Sequence, residues 1–242
     1  MQPSYDLDKI RFATDRPTFE KAVALYESGK IGQFKEDFSG YFAIVLGASP
    51  YRVYVSAKYY DQGDCECYLG QNNTLCKHMV AVAIYACLNG KKLSQEDKKL
   101  VSSPTCSGKM GELDKEDLAE IKKSIASAIK YIKPYRGPSR IWFAYQNSLS
   151  EGCARLSKLV SGLPVSWQTA RLIIDLLLRL DKKLCLGGVD DSDGTVGGFI
   201  EEAVIMLENY AKLVPSCVKT FSKLKGKETC FNWEEPLLKL IK

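Results

Sequence analysis

Apolar positions change period along the chain. Over residues 17–28 they recur at helical spacing, with Phe19, Ala22, Val23 and Tyr26 on one face and Gly29 as the stop. The period then drops to two. Residues 31–38, 41–46 and 52–59 read as strands rich in Tyr, Val and Ile, and Gly47-Ala48-Ser49-Pro50 turns between the last two. In the third strand Tyr51, Val53, Val55, Ala57 and Tyr59 share one face, while Arg52, Tyr54, Ser56, Lys58 and Tyr60 share the other. Residues 1–15 show no period and predict an irregular or partly extended lead-in. An apolar run, Met79 to Leu88, predicts a buried helix ended by Asn89-Gly90.

Beyond residue 113 every periodic segment is helical. Asp114 is placed to cap a helix carrying the stripe Leu118, Ile121, Ile125, Ile129 and Ile132, ahead of Pro134. Residues 139–160 carry Trp142, Tyr145, Leu149, Cys153 and Leu156 at helical spacing. Residues 167–184 are apolar on most sides and predict the central helix. Residues 198–214, 215–224 and 234–241 complete the set, with Pro215 in the first-turn position that proline tolerates. Between the two halves, residues 93–111 predict a linker with room for one short helix. The fold class expected is α+β: a small strand–strand–helix domain over residues 1–90, a linker over 91–112, and an all-α domain over 113–242. No internal repeat is evident.

The chemistry concentrates where the two patterns meet. Cys65 and Cys67 are followed after eight residues by Cys76 and His78, the sole histidine of the chain. Three thiolates and an imidazole are the four donors that tetrahedral Zn²⁺ prefers. In a flat strand Cys65 and Cys67 would share a face about 6–7 Å apart, so the backbone must curl there to bring both to one ion. Asp61, Gly63 and Asp64 are suitable turn residues. In a helix, positions i and i+2 diverge by about 200°. Cys76 is therefore expected at or just before a helix N-terminus, with His78 in the first turn, where free backbone N–H groups favour a thiolate. A buried cysteine is often only a small hydrophobe. That accounts for one or two cysteines, not for three beside the only histidine. An odd total of nine cysteines in 242 residues argues against a disulfide framework.

These residues resemble the SWIM zinc finger, whose pattern is C-x-C, a variable spacer and C-x-H leading into an apolar helix. The chain matches as Cys65-Glu66-Cys67, Cys76-Lys77-His78 and the following Met79-Val80-Ala81-Val82. Upstream, Gly47 and the Tyr51-Arg52-Val53-Tyr54-Val55 strand fit as well, so the resemblance covers about residues 16–89. It implies a strand–strand–helix fold around one structural zinc, used in DNA or protein binding, and no enzymatic activity.

Composition narrows the function further. Apolar residues make up 45% and charged residues 26%, which is ordinary for a globular chain. No apolar run approaches the roughly 20 residues of a membrane span, and the N-terminus lacks a secretory h-region. Reduced thiols and a cysteine-rich metal site predict a cytoplasmic protein. The net charge of +5 is uneven: residues 91–150 carry twelve basic and seven acidic side chains, against nine and ten in residues 1–90. With its only histidine committed to metal, the chain has no general base for Ser-His or Cys-His catalysis. The acidic loop at 187–198 fails as a calcium loop, because aligning Gly194 with the loop glycine puts Val189 and Ile200 at ligand positions. It is expected to be a flexible connection capping the next helix. The function expected is a non-catalytic adaptor with a protein partner and no small-molecule substrate. The alternative is nucleic-acid binding through Arg52, Tyr54, Lys58, Lys77, Lys91 and Lys92, extended by Lys98, Lys99, Lys122, Lys123 and Lys130.

Overall fold

A computed structural model describes residues 2–98, 103–138 and 142–241, and the chain falls into two compact units, Met1–Leu100 and Val101–Lys242. The predicted start of a helix at residues 139–141, and Lys99, lie outside the described residues.

In the first unit, α1 (Leu7–Ala13) occupies the lead-in that showed no period. Its two turns are too short for a stripe to be read. The Asp6 side chain caps it by accepting from the Lys9 backbone N–H at 2.6 Å, and burial of Ile10 and Phe12 holds it down. Helix α2 (Arg16–Glu27) buries the predicted Phe19, Ala22, Val23 and Tyr26. Strands β1 (Ile31–Glu36), β2 (Gly40–Leu46), β3 (Pro50–Ser56) and β4 (Gly63–Cys65) form one antiparallel sheet in chain order. Strand β4 was not predicted. Three residues are too few to show alternation, and only pairing with β3 defines it. Val53 and Val55 point inward as expected, but the strand ends at Ser56 and the alternation with it. Tyr59 is exposed, whereas Tyr60 is buried edge-on against Tyr5 at 5.9 Å.

After β4 come α3 (Tyr68–Gln71), α4 (Lys77–Leu88) and α5 (Gln95–Lys98). Helix α4 is the core of the unit: every residue from His78 to Ile84 is buried. It packs on α1, on α2 and on the inner face of the sheet, which explains why its sequence is apolar all round. Burying one Val or Ile side chain contributes about 1.5–3 kcal/mol, so this helix is the main apolar contribution to the unit. Asn89, in the left-handed region at φ 48°, ends it as predicted.

The second unit is all helical: α6 (Lys115–Ile129), α7 (Trp142–Ser161), α8 (Trp167–Cys185), α9 (Thr195–Leu213), α10 (Val218–Phe221) and α11 (Glu235–Leu238). The helix expected over 215–224 is α10 flanked by two 3₁₀ turns, Pro215–Cys217 and Ser222–Leu224. Helix α9 has the larger set of neighbours, packing on α7, α8 and α11, whereas the helix expected to be central, α8, turns Arg171 and Arg179 outward. The segment expected as linker is not loose throughout. Residues 105–111 run beside 161–165, with the Val165 N–H donating to the Lys109 carbonyl at 2.6 Å and the Ser107 hydroxyl to the Leu163 carbonyl at 2.7 Å.

The acidic loop caps the next helix as expected, through Asp191, but two further findings correct the sequence reading. The acidic loop is held by α7. The Trp142 indole donates to the Asp190 carboxylate at 3.1 Å, the Asp190 N–H to the Tyr145 hydroxyl at 2.9 Å, and Asp191 caps α9 by accepting from Val196 and Gly197 N–H at 2.8 Å each. Cys185 and Cys230 form a disulfide, where a chain of reduced thiols was expected. The partners lie 45 residues apart, a spacing with no sequence signal. Beside them the buried Asp181 carboxylate accepts from the Cys230 N–H and the Trp233 indole, each at 2.9 Å, and so fastens the C-terminal segment to α8.

A closed loop of this length is worth about 4 kcal/mol in the chain-entropy account of disulfides. Reduction, or Cys230→Ser, is therefore expected to lower the denaturant stability of the second unit by up to that amount. Denaturation of wild type with and without reductant, followed at Trp233, checks it.

Candidate metal centre

The curl required between Cys65 and Cys67 is supplied by the change from β4 to α3. Cys65 is the last residue of β4, paired with Val53, so its side chain falls on the inner face of the sheet. Cys67 has already left the strand and is the N-cap of α3, accepting from the Gly70 N–H at 3.5 Å. Cys76 is the N-cap of α4 and His78 lies in its first turn, as the spacing predicted. All four are buried, and their ligand atoms lie within 4.8 Å of one another.

The donor set fits a tetrahedral ion. With Zn–S near 2.3 Å and Zn–N near 2.0–2.1 Å, neighbouring ligand atoms should stand about 3.4–3.8 Å apart. The His78 Nδ1 stands 3.7 Å from the Cys65 Sγ and 3.9 Å from the Cys76 Sγ. Nδ1 is thus the nitrogen aimed at the sulfurs and Cys65, Cys67, Cys76 and His78 would hold a zinc-type ion, which would supply a rigid crosslink between β4, α3 and α4. The thiols are unequal. Hydrogen bonding from Cys65 pulls Cys76 down to about 4, against the burial that pushes it up, with the His78 ring helping. The same hydrogen bond, with burial, pushes Cys65 up.

Three neighbours shape the site: Gly47 and Tyr51, which the sequence offered only as part of the finger pattern, and Gly70, which it did not single out. The His78 ring packs on Tyr51 at 4.8 Å, and its buried Nε2 has no hydrogen-bond partner among the described residues. A Cβ at Gly47 would come within 2.9 Å of that nitrogen, so Gly47 leaves the ring its room. At Gly70 a Cβ would meet the Cys65 carbonyl oxygen at 2.2 Å. Glycine there allows α3 to lie against β4, the approach that puts Cys67 beside Cys65. A glycine three residues after a ligand is visible in sequence, but its contact is not.

The residues expected to contact nucleic acid lie on different elements: Arg52 and Tyr54 on β3, Lys58 after it, Lys77 on α4, and Lys91 and Lys92 after α4. The Arg52 guanidinium is engaged with Glu66, Nε to carboxylate at 2.6 Å and NH2 at 2.5 Å. Tyr54 lies against Phe42 at 4.7 Å, and Lys58 over the Tyr59 ring at 5.3 Å. Lys77 is half-buried on α4, Lys91 and Lys92 are exposed after it, and Lys98 is paired with Glu27 at 2.5 Å. Lys122, Lys123 and Lys130 are exposed on or just after α6.

One zinc per chain is expected in protein purified without added metal, and Cys65→Ser should abolish it, as measured by elemental analysis. Gly70→Ala keeps every ligand but moves Cys65 against α3. Its zinc affinity should fall by about 10- to 100-fold, the range seen when groups behind the ligands are altered, in a chelator competition.

No curated protein and no solved structure matches this chain. Residues 51–87 match the family model described as the SWIM zinc finger. That stretch spans β3, β4, α3 and nearly all of α4, and within it the four donors converge in the order C-x-C…C-x-H. Residues 51–87 of the chain are therefore a SWIM zinc finger.

Proposed function

We propose that the chain is a non-catalytic zinc-binding interaction module, in which the finger presents its outer sheet face to a protein partner. The observation that carries the reading is the character of that face. Phe42, Arg52 and Tyr54 line a groove of about 810 Å³, with Asp64 and Glu66 on its β4 side and Gln71 and Asn73 beyond. Its one cation, Arg52, is already neutralised by Glu66, which leaves no free positive charge there for a phosphate. Exposed apolar side chains nearby, Phe38, Tyr68 and Leu69 among them, suit a protein surface better than a polyanion.

An enzymatic role is not part of the reading. Four protein ligands leave a zinc ion no open position for substrate or water, and the only histidine is one of them. No helix among the described residues is long and apolar enough to cross a membrane. Three free thiol ligands suit a reducing compartment such as the cytoplasm, although the Cys185–Cys230 disulfide belongs to the opposite chemistry. The second reading, nucleic-acid binding, keeps the exposed Lys91 and Lys92 as its support.

Capture from extract with and without nuclease, using wild type and Phe42→Asp, separates the two. The protein reading expects a nuclease-resistant partner that Phe42→Asp loses at unchanged zinc content. Capture that nuclease abolishes and Phe42→Asp leaves intact overturns it in favour of nucleic acid. In that case binding should weaken with salt, each neutralised phosphate contributing about −0.9 to the slope of log K against log salt. Lys91→Glu with Lys92→Glu should then flatten the slope by up to about two such units in an oligonucleotide titration.

A further inference from the structure

A second cleft, in the helical unit and unrelated to the zinc site, has the lining of a ligand site. Its volume is about 470 Å³. One wall is a stripe of α8: Trp167 and Arg171 are four residues apart and so lie above one another on one face, with Asp175 one turn further on, beyond the lining. The other wall is the stretch around α10, where Lys219 and Lys223 are again four residues apart. Helix α10 packs directly on α8, so the two stripes face across the cleft.

The charges are not balanced within it. Lys223 is held by Asp175 at 2.6 Å, which ties the two walls together at one end. Arg171 and Lys219 line the cleft as well, and among the described residues neither side chain has an ion-pair partner. Two uncompensated cations in one concave site favour an anion, and a guanidinium beside an ammonium suits phosphate oxygens.

The remaining groups say what the anion is attached to. The Trp167 indole is 46% exposed at the start of the stripe, one helical turn, or about 6 Å of axial rise, before Arg171. An exposed indole at the mouth of a cationic cleft offers a flat apolar face for a ring to stack on. The hydroxyls of Thr220 and Ser222 donate to the carbonyls of Cys217 and Lys219, both at 2.7 Å. Their hydrogens are committed, so toward the cleft they offer acceptor lone pairs for hydroxyl or amino groups. An anion, a flat ring about one turn away and hydrogen-bond donors between them describe a nucleoside phosphate. We propose that this cleft binds a nucleoside phosphate, with phosphate on Arg171 and Lys219 and the base on Trp167. We read it as a binding site rather than a catalytic one, and no metal-ligating cluster among the described residues lines it.

Titration of the full chain with AMP, with adenosine and inorganic phosphate as separate probes, tests this by calorimetry and by Trp167 fluorescence. Saturable AMP binding is expected, at least about tenfold tighter than either fragment. The double variant Arg171→Glu/Lys219→Glu and, separately, Trp167→Ala should each weaken it by about tenfold or more, at unchanged melting temperature. Short single-stranded oligoadenylate forms the second arm. Tighter binding than AMP with the same dependence on these residues assigns the nucleotide to a strand, and equal or weaker binding assigns it to the free molecule. No saturable AMP or oligoadenylate binding at millimolar ligand overturns the proposal. So does binding that survives the charge reversals, or phosphate binding as tight as that of AMP and indifferent to Trp167→Ala.

Discussion

Convergence of four soft donors at the edge of the sheet is the constraint on which the first unit depends. The Cys65, Cys67, Cys76 and His78 ligand atoms come from a strand end, a one-turn helix and the first turn of α4, and none of these elements could stand alone. Strand β4 is three residues long and α3 four. Neither is long enough to stand alone: β4 is placed by its pairing with β3, α3 by its approach to β4 at Gly70, and an ion on their cysteines would fasten both. Metal ligation of this kind contributes on the order of 10–16 kcal/mol in small finger peptides, which is comparable to the whole stability of a domain. Helix α4 differs in that its apolar residues dock it on the sheet independently of its two ligands.

Four donors that would hold an ion need room around them, so the packing there has to leave space rather than add strength. Gly47 and Gly70 are both places where a methyl group would collide, one with the His78 ring and one with the Cys65 carbonyl. Burial of the donors has a second consequence. Thiols in an apolar site resist ionising unless something shares their charge, and hydrogen bonding between Cys65 and Cys76 pulls Cys76 down while it pushes Cys65 up. An ion of charge +2 replaces that internal compromise with ligation of all three sulfurs.

The second unit is held by other means. Leu, Ile and Val from α6 to α11 make one continuous core, and one of its buried carboxylates, Asp181, organises the end of the chain. A buried carboxylate is costly unless hydrogen-bonded. Asp181 satisfies that requirement with donors from the C-terminal segment, so the segment's position and the carboxylate's solvation are one interaction. The surfaces of the two units differ in the same spirit. In the groove of the finger the one cation, Arg52, is spent on Glu66. In the α8–α10 cleft, Arg171 and Lys219 are left over.

Local chemistry and strong periodicity were enough to read a good deal from the sequence alone. The four donors, the N-capping place of Cys76, the stripes of α2 and α6 and the end of α4 at Asn89 depend on residues within a few positions of one another, and such spacing survives any tertiary arrangement. Elements shorter than two turns or four strand residues, namely α1, β4 and α3, carried no periodic signal, and the helix read over 215–224 gave no sign that it breaks into α10 and two 3₁₀ turns. They exist because partners elsewhere in the chain satisfy them. Long-range pairings were equally out of reach: Cys185 with Cys230, Asp181 with Trp233, Tyr60 with Tyr5, Trp142 with Asp190. So was the state of each surface charge. Arg52 as a free cation and Arg52 as the partner of Glu66 have the same sequence, and only the 14-residue return of the chain from β3 to β4 makes the difference. Spacing along the chain determines which groups can share a face. Which groups meet across faces is decided by how the faces pack, and that is a property of the whole fold.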